Sequence, residues 1–125
     1  MKGQVKPYGK RVKEMMAEKS RLLSKAQAFE DMGLAETAQS LWSTVASYEE
    51  RIAPLLDAIG RDGEAALHRV SAAACFEKSG DWSRAANLYR AALAGPLSDA
   101  ARADVKRKLS ACFKQLRRTA VDSVI

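Results

Sequence analysis

Residues that commonly build metal centres, redox sites and disulfides are scarce in this chain, which has two cysteines and one histidine among 125 residues. Cys75 and Cys112 each stand in an Ala-Cys-Phe triplet, without a CxxC or metal-ligand spacing. We expect both to be buried as small apolar residues in helix interfaces. His68 has no nucleophile or second ligand at a fixed spacing, so we predict a surface histidine. The sequence therefore predicts no catalytic residue, no metal site and no cofactor.

Long apolar runs and phosphate-binding loops are also missing from the sequence. The seven glycines are scattered, and no apolar stretch approaches the roughly 18–20 residues that span a bilayer. The first residues have positive charge but no apolar segment behind it, unlike a secretory signal peptide. Abundant alanine and the lack of strand-like runs favour helices. We expect one all-α domain that is cytoplasmic and has no membrane association.

The net charge of +6 is unevenly distributed along the chain. Residues 1–25 have eight basic and two acidic side chains, residues 26–100 have six and eleven, and residues 101–125 have seven and two. This distribution predicts basic surfaces at both ends and a mildly acidic middle. Charged helix faces that only keep a protein soluble produce the same pattern, so both interpretations stay open.

Apolar residues recur at three- and four-residue steps in five segments, as amphipathic helices require. The predicted helices, in chain order, are about 10–32, 34–59, 62–79, 82–94 and 98–120. Pro54 interrupts the second segment, and because the apolar stripe keeps its register we predict a kink or a restart of the helix there. Asp62, Asp81 and Ser98 are predicted N-caps.

Two short segments flank the periodic part of the chain. Residues 1–9 contain two glycines and a proline without apolar periodicity, so we predict a flexible arm. Residues 10–120 are predicted to form a single helical-repeat domain, and residues 121–125 are predicted to be a C-terminal tail.

One pattern, A-x-x-F-E-x-x-G-x-x-x-x-A-x-x-L-[W/Y], occurs twice with the same internal spacing. The two copies consist of Ala26, Phe29, Glu30, Gly33, Ala38, Leu41 and Trp42, and of Ala73, Phe76, Glu77, Gly80, Ala85, Leu88 and Tyr89. We predict that each copy joins two antiparallel helices at its glycine and that its aromatic residues lie in the core. Residues 110–113 repeat residues 73–76 at an offset of 37 with Ser in place of the first Ala, and no glycine follows, which predicts half a unit acting as a cap.

The second copy of the pattern resembles a tetratricopeptide repeat. The matching residues are Ala73, Phe76, Gly80, Trp82, Ala85, Tyr89, Ala92, Leu93 and Pro96. The first copy departs from the family at Ala35 and Val45, and it lies 47 residues from the second copy, against about 34 in the family. The resemblance implies antiparallel helical hairpins stacked as a short tetratricopeptide-like solenoid or bundle of about five helices. Its units would span about 10–60 and 62–96, followed by a capping helix at 98–120.

The same resemblance implies a groove lined by the first helix of each unit. Its residues would be Leu23, Gln27, Glu30, Val70, Ala74, Glu77, Lys78, Arg107, Lys108 and Lys114. Leu23 and Gln27 stand where the carboxylate-clamp members of the family have Lys and Asn, which argues against their type of acidic C-terminal peptide. We expect a non-catalytic adaptor that binds a peptide or helix of another protein, with acidic residues at one end. A homo-oligomer is a further hypothesis.

The alternative function is association with nucleic acid through the basic first and last helices. Its contacts would be Lys10, Arg11, Lys13, Lys106, Arg107, Arg117 and Arg118. Cations at this density can neutralise phosphates without reading bases, although exposed aromatic residues for stacking are lacking. In a solenoid the two basic ends would be separate patches, and in a closed bundle they would merge.

Overall fold

The computed structural model describes residues 5–124, with only the backbone described for residues 123 and 124. Its helices are α1 (Lys10–Asp31), α2 (Ala35–Ala58), α3 (Asp62–Lys78), α4 (Trp82–Leu93) and α5 (Asp99–Val124). There is no strand in this part of the chain. Each helix packs mainly against the next one in sequence, so α1 and α2 form hairpin 1, α3 and α4 form hairpin 2, and α5 follows. The predicted all-α class with five helices is confirmed.

Three turns share one glycine-dependent geometry. Gly33, Gly60 and Gly80 have φ angles of +79°, +80° and +83°, in the left-handed region where a side chain is strained. In each turn, the residue after the glycine donates its N–H to the carbonyl five residues earlier, at 2.9 Å. These bonds close the helix ends as Schellman motifs. The turn between the hairpins is therefore built like the two turns within them.

Pro54 lies inside α2, which continues through it as one helix. Of the two predicted alternatives, the restart is therefore wrong, while the kink stays a prediction. Pro54 is on the exposed side of the helix, where water can hydrogen-bond to the Glu50 carbonyl that loses its N–H partner.

Two of the three predicted N-caps are confirmed. The Asp81 carboxylate accepts a hydrogen bond from the Arg84 N–H at 3.1 Å, and the Ser98 hydroxyl accepts one from the Ala101 N–H at 3.1 Å. The prediction for Asp62 is wrong, because it is the first residue of α3 and caps no backbone group. Its negative charge still interacts favourably with the positive end of the helix dipole.

The segment before α1 is anchored rather than flexible where the structure describes it. The Lys6 N–H donates to the Ile59 carbonyl at 3.1 Å, and the Arg61 side chain donates to the Lys6 carbonyl at 2.9 Å. The Tyr8 hydroxyl donates to Glu64 at 2.8 Å, and the Arg61 guanidinium lies 4.6 Å from the centre of the Tyr8 ring. The prediction of a flexible arm is therefore wrong for residues 6–8, while residues 1–4 lie outside the described part of the chain.

The predicted tail is also partly wrong. The helix α5 extends to Val124, so residues 121–124 are helical and only Ile125 lies outside the described residues. No glycine or proline follows Pro96, so the sequence contains no residue that would stop the helix earlier.

The core consists of two apolar clusters. The larger one contains residues from all five helices, including the motif alanines and Trp42, Phe76 and Tyr89, whose exposed fractions are 3% or less. This confirms that these three aromatic residues are core residues. The smaller cluster packs the end of α2 around Ile52 and Leu56 against the start of α1 and of α3. The extra length of α2 thus forms its own apolar contact with the neighbouring helices.

Candidate functional site

The glutamate and the last aromatic residue of the repeated pattern are hydrogen-bonded to each other in both hairpins. The Trp42 ring N–H donates to the Glu30 carboxylate at 2.7 Å, and the Tyr89 hydroxyl donates to the Glu77 carboxylate. Burial and the bond to Glu77 raise the pKa of Tyr89 above its ordinary value. Each pair joins the two helices of one hairpin across twelve positions of sequence. The repeated glutamate therefore has a structural role within the hairpin.

Lys78 connects hairpin 2 to this pair in hairpin 1. Its ammonium group lies 3.5 Å from a Glu30 carboxylate oxygen and 4.7 Å from the centre of the Trp42 ring. The side chains of Glu30 and Lys78 are 49% and 47% exposed, so water screens most of their attraction. Three predicted groove residues, Glu30, Glu77 and Lys78, thus have partners within the chain.

A second polar link joins side chains of α1 and α3 to a residue of α2. Glu49 is the one buried charged residue in the described part of the chain, with 4% exposure. It lies 3.3 Å from the Lys19 ammonium and 3.0 Å from His68 Nδ1. Burial by itself raises the pKa of Glu49, but the hydrogen bond and charge of His68 together with the charge of Lys19 outweigh it, so the pKa is lowered. His68, predicted to be a surface residue, instead bonds to Glu49 with most of its side chain covered.

Both cysteines are buried free thiols, as expected from the sequence. Burial, reinforced by the charge of Glu49, raises the pKa of Cys75 to about 11. Burial and the charge of Glu77 likewise raise the pKa of Cys112 to about 11. A thiol with such a pKa is protonated near neutral pH and is a poor nucleophile. Within the described residues, no group of three or more His, Cys, Asp and Glu side chains could hold a metal ion.

The other predicted groove residues differ in exposure and in partners. Leu23 and Val70 are partly buried against the larger core cluster, Ala74 is half-buried and Gln27 is exposed. On α5, Arg107 and Lys108 share Asp104, at 3.0 and 3.1 Å. Lys114 is exposed and has no ion pair with any described residue. That all ten residues line one groove stays a prediction.

The packing of α3 on α4 identifies the equivalent surface of α5. A Cβ added to Gly95, at the end of α4, would lie 3.2 Å from the Ala66 Cβ, and Glu77 accepts the bond from Tyr89. The face of α3 toward α4 therefore runs from Ala66 to Ala73, two turns further on, and to Glu77, one turn after that.

At the 37-residue offset, the corresponding residues of α5 are all exposed. We call this surface the outer face of α5, and it consists of Ala103, Arg107, Ser110, Lys114, Arg117 and, one turn further, Val121. No described helix follows α5 to cover it. With 26 residues against 12 in α4, α5 is also about 20 Å longer than its neighbour.

The predicted basic residues occupy two separate helices. On α1, Lys10 lies 3.8 Å from Glu14, and Arg11 lies beside Glu14 and Glu18 in a shallow depression. On α5, Lys106, Arg117 and Arg118 are exposed and have no ion pair with any side chain that the structure describes. Because α1 packs mainly on α2 and α5 mainly on α4, no helix pairing brings the two basic segments together.

Comparison with known proteins found no relative of this chain. No protein-family model matches the chain, and no curated protein or solved structure shows significant similarity to it. The similarity to tetratricopeptide repeats therefore rests on the residues of the second copy. None of the helices in residues 5–124 is long and apolar enough to cross a membrane.

Proposed function

We propose that this chain is a non-catalytic protein-interaction module of tetratricopeptide-like architecture, a cytoplasmic adaptor that binds a peptide or helix of another protein. One observation carries the proposal. The surface of α3 that α4 covers has an exposed equivalent in the outer face of α5, where small residues alternate with cations. A helix face that lacks its packing partner, yet keeps the small residues of a covered one, suits a second protein.

The outer face of α5 suits a partner better than the surface of α1 and α3 does. Between those two helices, Lys19 and His68 are both held by Glu49, and Lys78 is held by Glu30. A peptide bound there would have to displace contacts that already exist. On α5, by contrast, Lys114 makes no ion pair with a described residue, although Asp122 lines the same shallow depression. Of the ten predicted groove residues, Arg107 and Lys114 lie on the outer face.

The state of the reactive groups supports the non-catalytic part of this proposal. The thiols of Cys75 and Cys112 are buried and protonated. The imidazole of His68 is bonded to Glu49, which also pairs with Lys19, so the three side chains satisfy one another. Mutual satisfaction of this kind is typical of a structural ion cluster.

The proposal is tested by capture followed by direct binding. The tagged chain is used to enrich proteins, which are identified by mass spectrometry, and the leading one is purified and titrated against four versions of the chain. We expect wild type and Lys25→Glu, an exposed control on α1, to bind alike, and Lys114→Glu to lose binding. Loss with Gln27→Lys instead would move the site to the α1 surface. Equal loss with Lys25→Glu, or the failure of every purified protein to bind, would refute the proposal.

Association with nucleic acid is the second candidate, favoured by the unpaired cations Lys106, Arg117 and Arg118. Phosphate contacts would make its affinity fall steeply with salt. The aromatic residues Trp42, Phe76 and Tyr89 are buried, so they are not exposed for base stacking. A fluorescent duplex and a single-stranded oligonucleotide, titrated at two salt concentrations, test it. Tight binding with a steep salt slope, lost on Arg117→Glu and Arg118→Glu, would favour this candidate over protein binding.

A further inference from the structure

We propose that the outer face of α5 binds an acidic amphipathic helix of a partner protein, which occupies on α5 the position that α4 occupies on α3. This inference rests on the proposed function, because it specifies the chemistry of the partner. Three observations lead to it. The residues of α5 correspond to those of α3 at an offset of 37, the charge at one of the corresponding positions is reversed, and no described helix covers the outer face of α5.

The 37-residue offset identifies two positions of α5 that a second helix can approach closely. Ala66 and Ala73, on the α3 face toward α4, have exposed fractions of 1% and 0%. Their equivalents on α5 are Ala103 and Ser110, which are also small but exposed. Small residues at such positions let two helix axes pack at about 8–10 Å. A second helix can therefore pack closely on α5, as α4 packs on α3.

The charge at the next repeated position is reversed. Glu30 and Glu77 each accept a hydrogen bond from a Trp or Tyr on the second helix of the hairpin. The equivalent residue of α5 is Lys114, one position after Phe113. An ammonium group only donates hydrogen bonds, so the residue opposite must be an acceptor, and a carboxylate is the strongest one. Arg117 follows on the same face and favours a second acidic residue.

Two other occupants fit this face less well. A second copy bound symmetrically would place Lys114 and Arg117 of each chain against like charges, which is unfavourable. A nucleic acid could neutralise the cations, but it would gain nothing from close approach at Ala103 and Ser110 or from the 60% exposed Val121. A helix with acidic and apolar residues uses all of these groups.

The probe for this proposal is a peptide taken from α4 itself. Residues 81–96 are synthesised with blocked ends, with Arg84→Gln and Arg90→Gln to lower the positive charge. Ser83→Lys and Asn87→Asp, at two positions that are exposed in α4, supply the amine and the carboxyl group that condense to a lactam bridge, because isolated helices of this length are marginal in water. Two versions carry either Tyr89→Glu or Tyr89→Lys, at the position opposite the repeated glutamate.

The charge-swap result decides the proposal. Wild type is expected to bind the Tyr89→Glu peptide about tenfold more tightly than the Tyr89→Lys peptide, as one close charge pair can provide. With the Lys114→Glu chain, the preference should reverse. Absence of binding up to millimolar peptide, or a preference that is unchanged by Lys114→Glu, would overturn the proposal.

A bulky substitution separates the helix from the other occupants. Ser110→Arg blocks close approach but adds a cation, so helix binding should fall while binding of a DNA oligonucleotide, if any, should hold or rise. Ser24→Arg, on the exposed side of α1, is the matched control and should leave peptide binding unchanged. If Ser110→Arg leaves peptide binding intact, the acidic-helix proposal is wrong. It is also wrong if sedimentation shows that the wild type forms dimers and that Ser110→Arg makes them dissociate. If the peptides do not bind, but a purified partner binds the wild type and does not bind the Lys114→Glu chain, this inference is wrong and the proposed function stands.

Discussion

The hydrogen bond between Tyr89 and Glu77 should contribute measurably to stability. Tyr89→Phe removes the hydroxyl from a side chain with 0% exposure and leaves the Glu77 carboxylate without its donor. A hydrogen bond to a charged group contributes about 1.5–3 kcal/mol. Because Glu77 is only half-buried, water can replace part of the bond, and we expect a loss near the lower limit, about 1–2 kcal/mol in the free energy of unfolding.

Urea denaturation followed by circular dichroism measures this loss, with Tyr48→Phe as the matched control. Tyr48 is half-buried in the same fold, and its hydroxyl has no hydrogen-bond partner among the described residues, so its substitution should cost less than about 0.5 kcal/mol. Glu77→Gln completes a double-mutant cycle, in which the two losses should not add. Equal losses for Tyr89→Phe and Tyr48→Phe, or full additivity in the cycle, would refute a structural role for the repeated glutamate.

Three further predictions concern other parts of the fold. Because the pKa of Glu49 is lowered in the folded state, its contribution to stability should be complete above the ordinary carboxyl pKa of 4.5 and lost as the pH falls through the lower folded-state pKa. In that range, Glu49→Gln should therefore make the free energy of unfolding depend less on pH. An unchanged pH dependence would contradict a stabilising role for the cluster of Glu49, Lys19 and His68. Gly80→Ala should destabilise the chain by about 1–2 kcal/mol at its φ of +83°, whereas Gly63→Ala, in the first turn of α3 with open space around it, should be neutral or stabilising in thermal melts. Cys75 and Cys112 should react with a thiol reagent only after unfolding, and rapid labelling of the folded chain would contradict their burial.

Local signals in the sequence were sufficient for most of the fold. Gly33 and Gly80 end helices because only glycine adopts the left-handed conformation without strain, and apolar spacing identified the faces between them. Contacts between distant residues could not be predicted in this way. Tyr8 and Glu64 are 56 positions apart, so the hydrogen bond between them, which anchors the segment before α1, forms only after the chain has folded.

The candidate site was predictable only in part. Glu49 was a detectable exception, because it lies seven residues after Trp42 on the apolar stripe of α2 and so required a buried partner. Its partners Lys19 and His68 lie on two other helices and could not be identified from one periodic stripe. The equal separation of Glu30 from Trp42 and of Glu77 from Tyr89 was visible in the sequence, but their hydrogen bonds required the antiparallel geometry.

We infer that the outer face of α5 is the binding surface of this chain. It is tested most directly by recording amide NMR spectra of the labelled chain during titration with the bridged Tyr89→Glu peptide. We expect the largest chemical-shift changes at Ala103, Ser110 and Lys114, with little change along α1. Changes concentrated at Leu23 and Gln27, or no changes on α5 at saturating peptide, would contradict it.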